Sequence, residues 1–203
     1  PSGLYASDHD MFAFLVDETN PVDAGGEAPL NRGFFVWNSE VGASSFGVCY
    51  FLYNRICGNH MVWGARDVLE VKIRHLGSGV EPRAWAELEG ELRRYADSSA
   101  RDDETGIMAA RKVILGQSSE EILDALLGLA TRAKVQIPAK TATRAIELAP
   151  QREGIYGDPR TLWAAVNVLT EVSQDVAYAD ARTKLDNAAG RILQVGMGRP
   201  AWK

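Results

Sequence analysis

The sequence predicts an α+β protein in which an antiparallel-type β region comes first and a helical C-terminal half packs on it. Three observations carry this. Residues 1–76 hold short runs rich in β-branched and aromatic residues, in places with period-two alternation. Beyond Gly77-Ser78-Gly79 the apolar spacing changes to three and four. The two regimes follow one another instead of alternating, which argues against a βαβ sheet.

Met11 to Val16 is a short apolar run of strand formers. The Pro/Gly/Asp stretch from Thr19 to Pro29 reads as a loop. Arg32 to Trp37 is the next strand, and Asn38 to Ser45, polar and Gly-bearing, reads as a turn. Phe46 to Tyr53 is apolar at nearly every position, which fits either a strand buried on both faces or the start of a helix. Met61 to Trp63 follows, and then Val68 to Leu76. There Leu69, Val71, Ile73 and His75 alternate with Glu70, Lys72 and Arg74, a half-buried strand with one charged face.

In the back half, Trp85, Leu88, Leu92 and Tyr95 predict a helix over 81–98. Asp102 and Asp103 are candidate caps for a helix from Glu104 to Leu115, ended by Gly116. Ser118-Ser119-Glu120-Glu121 opens the next helix. A short helix is expected at Ala139 to Leu148. Asp158-Pro159 reads as a cap and first turn for a helix carrying Leu162, Trp163, Val166, Leu169 and Val172. Asp180 to Leu193 is a last, more polar helix, and Gly196 to Lys203 a tail. The simplest organisation is one α+β domain over 1–203, mainly β in 1–76 and mainly α in 80–195.

Composition narrows the function classes. The chain has 203 residues, 46% hydrophobic and 24% charged, which is enough to bury a core. A net charge of -5 argues against a wholly basic nucleic-acid binder, so DNA contact would need a local basic patch. Two cysteines, Cys49 and Cys57, do not make a disulfide framework. No apolar run is long enough to span a membrane. No leader is visible, and the start at Pro1 gives the expectation of a fragment lacking an upstream region.

The stretch Gly33-Phe-Phe-Val-Trp-Asn38-Ser39-Glu40-Val41-Gly42, leading to Tyr53-Asn-Arg55-Ile-Cys57-Gly-Asn59, resembles the signature of a phage- and plasmid-related family catalogued as domain of unknown function 932. Its members carry a similar strand, Asn-Ser-Glu-x-Gly, an apolar run, and Cys-x-Asn-Gly. Here His60 stands at the last Gly. Leu162 to Glu171, with Asn167 and Thr170, is similar to a C-terminal helix of that family. The resemblance implies a mobile-element context and a bacterial cytoplasm, with some members travelling beside genes for single-stranded DNA handling. It supplies no activity.

The residues singled out by the resemblance are Asn38, Ser39, Glu40, Gly42, Cys57, Asn59, Asn167, Thr170 and Glu171. Each has a plainer reading. Asn38-Ser39-Glu40 suits a turn, and a lone Glu is a poor catalyst without a partner. Cys57 with His60 is half a metal site at most, and neither a metal nor a cofactor is expected. No phosphate loop or dinucleotide fingerprint is present. Trp37, Trp63, Trp85 and Trp163 sit in periodic apolar segments, where core packing is the default. Arg55, Arg66, Lys72 and Arg74 could form a basic face with aromatics nearby, although residues 1–76 hold nine acidic against five basic residues. Two functions lead: an accessory that binds or anneals single-stranded DNA, and a self-assembling interaction module forming homo-oligomers. A metal-dependent hydrolase or nuclease using Glu40 with Asp67 or Glu70 ranks third.

Overall fold

A computed structural model describes residues 3–6, 10–25, 29–39, 46–54, 59–61, 71–73, 80–97 and 100–199. The front half forms one antiparallel sheet of β1 (Gly3–Ala6), β2 (Asp10–Val22), β3 (Leu30–Ser39), β4 (Phe46–Asn54), β5 (Asn59–Met61) and β6 (Val71–Ile73). The first five lie in chain order, and β6 also pairs with β4. Because β3 occupies one edge of β4, the short β5 and β6 share the other, β5 at Leu52–Asn54 and β6 at Phe46–Val48.

The back half holds α1 (Val80–Asp97), α2 (Ala100–Ala110), α3 (Ser119–Arg132), α4 (Ala139–Leu148), a 3-10 turn (Ala149–Arg152), α5 (Glu153–Tyr156), α6 (Leu162–Ser173) and α7 (Ala179–Gly196). Among the described residues no helix is long and apolar enough to cross a membrane. The arrangement is α+β, as the change of periodicity predicts.

Phe46 to Asn54 is a strand, and its two faces enter different clusters. Tyr50 and Leu52 join Leu30 in the main core with Val22 and Ala24, beneath the helices. Phe51 and Tyr53 point the other way and pack with Phe14, Val16 and Trp37. That two-sided burial explains the near-continuous apolar run. At the same face Trp37 lies across Gly47, its cross-strand partner, where any Cβ would overlap the indole.

β2 runs further than the turn residues suggest. Asp17 pairs with Arg32 and Val22 with Leu30, so Glu18 to Pro21 bulge opposite the single residue Asn31. Asp17 organises the bulge: its carboxylate accepts from the Thr19 N–H (2.8 Å), the Thr19 hydroxyl (2.6 Å) and the Asn20 amide (2.9 Å). Bonds from Asn20 and Thr19 hold this carboxyl well below the usual carboxylate range. The excursion keeps enough ladder for the segment to count as strand.

α6 is the centre of the helical half: all residues from Thr161 to Thr170 are buried, with Trp163 1% exposed. α4 and α7 flank it, and α7 also touches α3 and β5. Each large side chain so buried is worth roughly 1.5–3 kcal/mol. An extended segment at Val113–Leu115 pins the start of α6. The Leu115 N–H donates to Arg160 O (2.9 Å) and the Leu162 N–H to Val113 O (2.8 Å).

Three terminus expectations change. α2 starts at Ala100, so Asp103 lies inside the helix and not at its cap, and the chain beyond Ala110 is extended by Ile114 instead of helical to Leu115. The cap of α6 is Thr161, whose hydroxyl accepts from Ala164 N–H (3.2 Å). Asp158 instead forms a turn with Arg160, accepting its N–H at 2.9 Å. Trp85 is 64% exposed and is not core, whereas Trp163 is.

Candidate functional site

The family-like residues of the back half lie on α6, and the helix separates them into two kinds. Asn167, Thr170 and Ser173 recur at intervals of three and face inward, fully buried. Each polar side chain returns to its own helix. The Asn167 amide donates to Trp163 O (2.7 Å), the Thr170 hydroxyl to Asn167 O (2.8 Å), and the Ser173 hydroxyl to Thr170 O (2.7 Å). The three donors are thus satisfied by backbone carbonyls of the helix that carries them.

Asp186 of α7 meets the end of this ladder, its Oδ1 2.6 Å from Ser173 Oγ. Ser173 has one hydroxyl proton and two oxygens within reach, Thr170 O and Asp186 Oδ1. Both contacts are satisfied when Asp186 is protonated and donates to Ser173 Oγ, leaving the serine proton for Thr170 O. Burial pushes the Asp186 carboxyl up to about 8, against the opposing effects of the Ser173 bond and of Arg182. Arg182 is committed elsewhere: its Nη2 donates to Gln174 O (3.2 Å) and Val176 O (3.4 Å), covering carbonyls at the end of α6.

Glu171, next to Thr170 in sequence, faces the opposite way. It lies in a groove of about 370 Å³ between α4, the 3-10 turn and α6, lined by Arg144, Glu147, Leu148, Gln151, Arg152 and Asp175 with it. Its Oε1 accepts from Arg152 Nε (2.7 Å) and lies 2.6 Å from Arg152 Nη2, while Oε2 accepts from the Tyr156 hydroxyl (3.1 Å). Arg144 pairs with Asp175 at 2.6 Å across the rim. The groove is polar and partly open, with two arginines against three carboxylates. Among the described residues no three His, Cys, Asp or Glu side chains gather as a metal site would require.

A second polar cluster, invisible in the sequence, joins sheet to helices. Arg32 of β3 lies 3.2 Å from the Asp103 carboxylate of α2, both side chains under a tenth exposed. The Tyr50 hydroxyl donates to Asp103 Oδ2 (2.7 Å), Arg32 Nε donates to Tyr50 Oη (3.2 Å), and the guanidinium stacks 4.1 Å from the Tyr95 ring of α1. Tyr95 in turn donates to Asp17 (3.3 Å). Burial, and then the Asp103 charge, keep the Tyr50 hydroxyl protonated well above the ordinary phenol range. Nothing local marks this cluster, because its members come from five elements.

The family-motif residues do not gather at one place. Asn38 and Ser39 end β3, paired with Met11 and Asp10. Asn59 starts β5, paired with Asn54, which sits beside Leu30 at the other end of β3. Eight residues of strand separate the two ends, about 26 Å. β5 does pack on α6 and α7, the helices that carry Asn167, Thr170 and Asp186. Glu40, Gly42 and Cys57 lie outside the described residues, as do Arg55, Arg66 and Arg74, and Asp67 and Glu70 with them. Lys72 is placed by its backbone, in β6 opposite Gly47.

No curated protein and no solved structure matched the chain. Residues 7–192, which include the sheet from β2 onward, the Arg32 cluster, the Glu171 groove and Asp186, match the family described as Domain of unknown function (DUF932), and the chain belongs to that family.

Proposed function

We propose that the chain works by association, as a self-assembling interaction module whose contact surface is the exposed apolar stripe of α1 and the neighbouring part of β2. The observation that carries this is a set of exposed large apolar side chains: Trp85 at 64%, Leu92 at 42%, Leu15 at 52% and Met11 at 41%. A chain of contacts links this part of α1 to β2. Trp85, Leu92 and Tyr95 share the helical spacing, Tyr95 packs on Phe34 at 4.5 Å between centroids, and Phe34 pairs with Leu15 across the ladder. A second copy offering the same surface would cover it by two-fold symmetry. Sedimentation velocity over a hundredfold concentration range tests the reading. The expected result is a concentration-dependent dimer that Trp85→Glu returns to monomer. A strict monomer throughout refutes it.

A second reading is that of a phage or plasmid accessory binding or annealing single-stranded DNA. It is supported by Lys72, which lies in β6 on the edge of β4 that β5 and β6 share, with Arg55, Arg66 and Arg74 close to these strands in sequence. Against it, many of the described arginines are ion-paired, among them Arg93, Arg144, Arg152 and Arg160. Binding of an oligonucleotide that weakens steeply with salt would favour this reading.

A further inference from the structure

Arg111 follows α2 immediately, its N–H donating to Ile107 O at 2.9 Å. The guanidinium lies between two glycines of left-handed backbone, Gly25 (φ 66) and Gly157 (φ 79). A Cβ on Gly157 would stand 2.7 Å from Arg111 Nη1, and one on Gly25 3.9 Å from the guanidinium carbon. Both neighbours therefore present bare backbone, which lets the guanidinium sit flush between two loops.

Its Nε and Nη2 are buried and have no hydrogen-bond partner among the described residues. These two nitrogens form one edge of the guanidinium, the fork that holds a carboxylate or phosphate by two parallel N–H···O bonds. Orphan donors on a charged group are costly, and buried polar groups are almost always satisfied. The nearby carboxylate, Asp23, is turned to its own loop and accepts from Gly25 N–H at 2.7 Å. Burial pushes the Arg111 guanidinium below its ordinary value, with Asp23 only partly opposing this. These two nitrogens are covered, while the residue as a whole is half-buried, so another part of the same side chain reaches solvent.

We propose that the Nε/Nη2 edge of Arg111, between Gly25 and Gly157, is a binding site for a small oxyanion of the phosphate or carboxylate class. The site is far from the apolar face of α1 in chemistry and does not depend on it.

The test is thermal unfolding of the full chain in rising inorganic phosphate, and separately in acetate, at constant ionic strength set with sodium chloride. Wild type should show a saturable rise in Tm, roughly 5 °C at about a hundredfold over Kd. Arg111→Gln should show none, while its Tm without added anion should be no lower than wild type. Arg111→Lys, which keeps the charge but loses the fork, should need at least about tenfold more anion for the same rise. A rise in phosphate alone assigns the site to phosphates, and a rise in acetate alone assigns it to carboxylates. Equal rises in wild type and Arg111→Lys, or no saturable rise with either anion, overturn the proposal.

Discussion

Replacing Asp186 with Asn should remove a loss of stability that wild type suffers as pH rises from acid to mildly alkaline. In the folded chain the carboxyl gives up its proton near pH 8, in the unfolded chain near the ordinary 3.8. Between those values the folded state holds a proton that the unfolded state has released. Stability from this group is therefore fully present at low pH and declines as pH rises, by about 1.4 kcal/mol per pH unit, levelling off above pH 8. The interval from 3.8 to about 8 makes the whole effect on the order of 5 kcal/mol. The substituted side chain would have no proton to lose, and its amide would donate to Ser173 Oγ as the carboxyl O–H does. Urea unfolding of both proteins at intervals from pH 4.5 to 9, followed by circular dichroism, isolates this contribution, because other titrations cancel in the difference. The variant should gain on wild type with rising pH, most steeply between 5 and 8. A difference that is flat with pH, or that runs the other way, would falsify the assignment of a neutral Asp186.

Two further substitutions probe the sheet and its tie to the helices. Asp103→Ala takes away the carboxylate that faces Arg32 and Tyr50 in a buried setting, and should cost about 3–5 kcal/mol by the midpoint of denaturant unfolding. The paired change Arg32→Met with Asp103→Leu should recover much of that loss, and failure to recover any would show that the charges themselves are not at issue. Gly47→Ala should cost about 1–3 kcal/mol by overlap with the Trp37 ring, and a Trp37→Leu background should remove most of the penalty. An unchanged Tm for Gly47→Ala in wild type would contradict that contact.

What could be read ahead of the structure was whatever depends on neighbours in sequence. Ala139 to Leu148 is a helix with those bounds, and Ser118 caps α3 with its hydroxyl on Glu121 N–H (3.2 Å), because capping and amphipathic spacing are local. Phe46 to Tyr53 stayed ambiguous between strand and helix, since burial on both faces erases the alternation that separates them. The bulge of β2 was hidden behind Asp17, Thr19, Asn20 and Pro21, residues that favour turns and here make one within a ladder. Asp103 looked like a cap and is instead the counter-charge of Arg32, a pairing that only the packing of α2 on the sheet creates. On the candidate site, the sequence pointed to Asn167, Thr170 and Glu171 together. Helix geometry divides them, two into the interior and one into the groove, and the partners Arg152, Tyr156 and Asp186 carry no local signal.

The first five strands pair in chain order, so the sheet can assemble by closing short loops. The helices have no such guide to where on the sheet they belong. The apolar contacts of α2, through Ile107 and Ala110, are non-directional and discriminate weakly between neighbouring seatings. A slip of one residue, however, turns Asp103 by about 100° and removes it from Arg32 and Tyr50. The buried pair thus acts as a locating pin, favouring the alignment of α2 on the sheet in which Asp103 meets Arg32 and Tyr50.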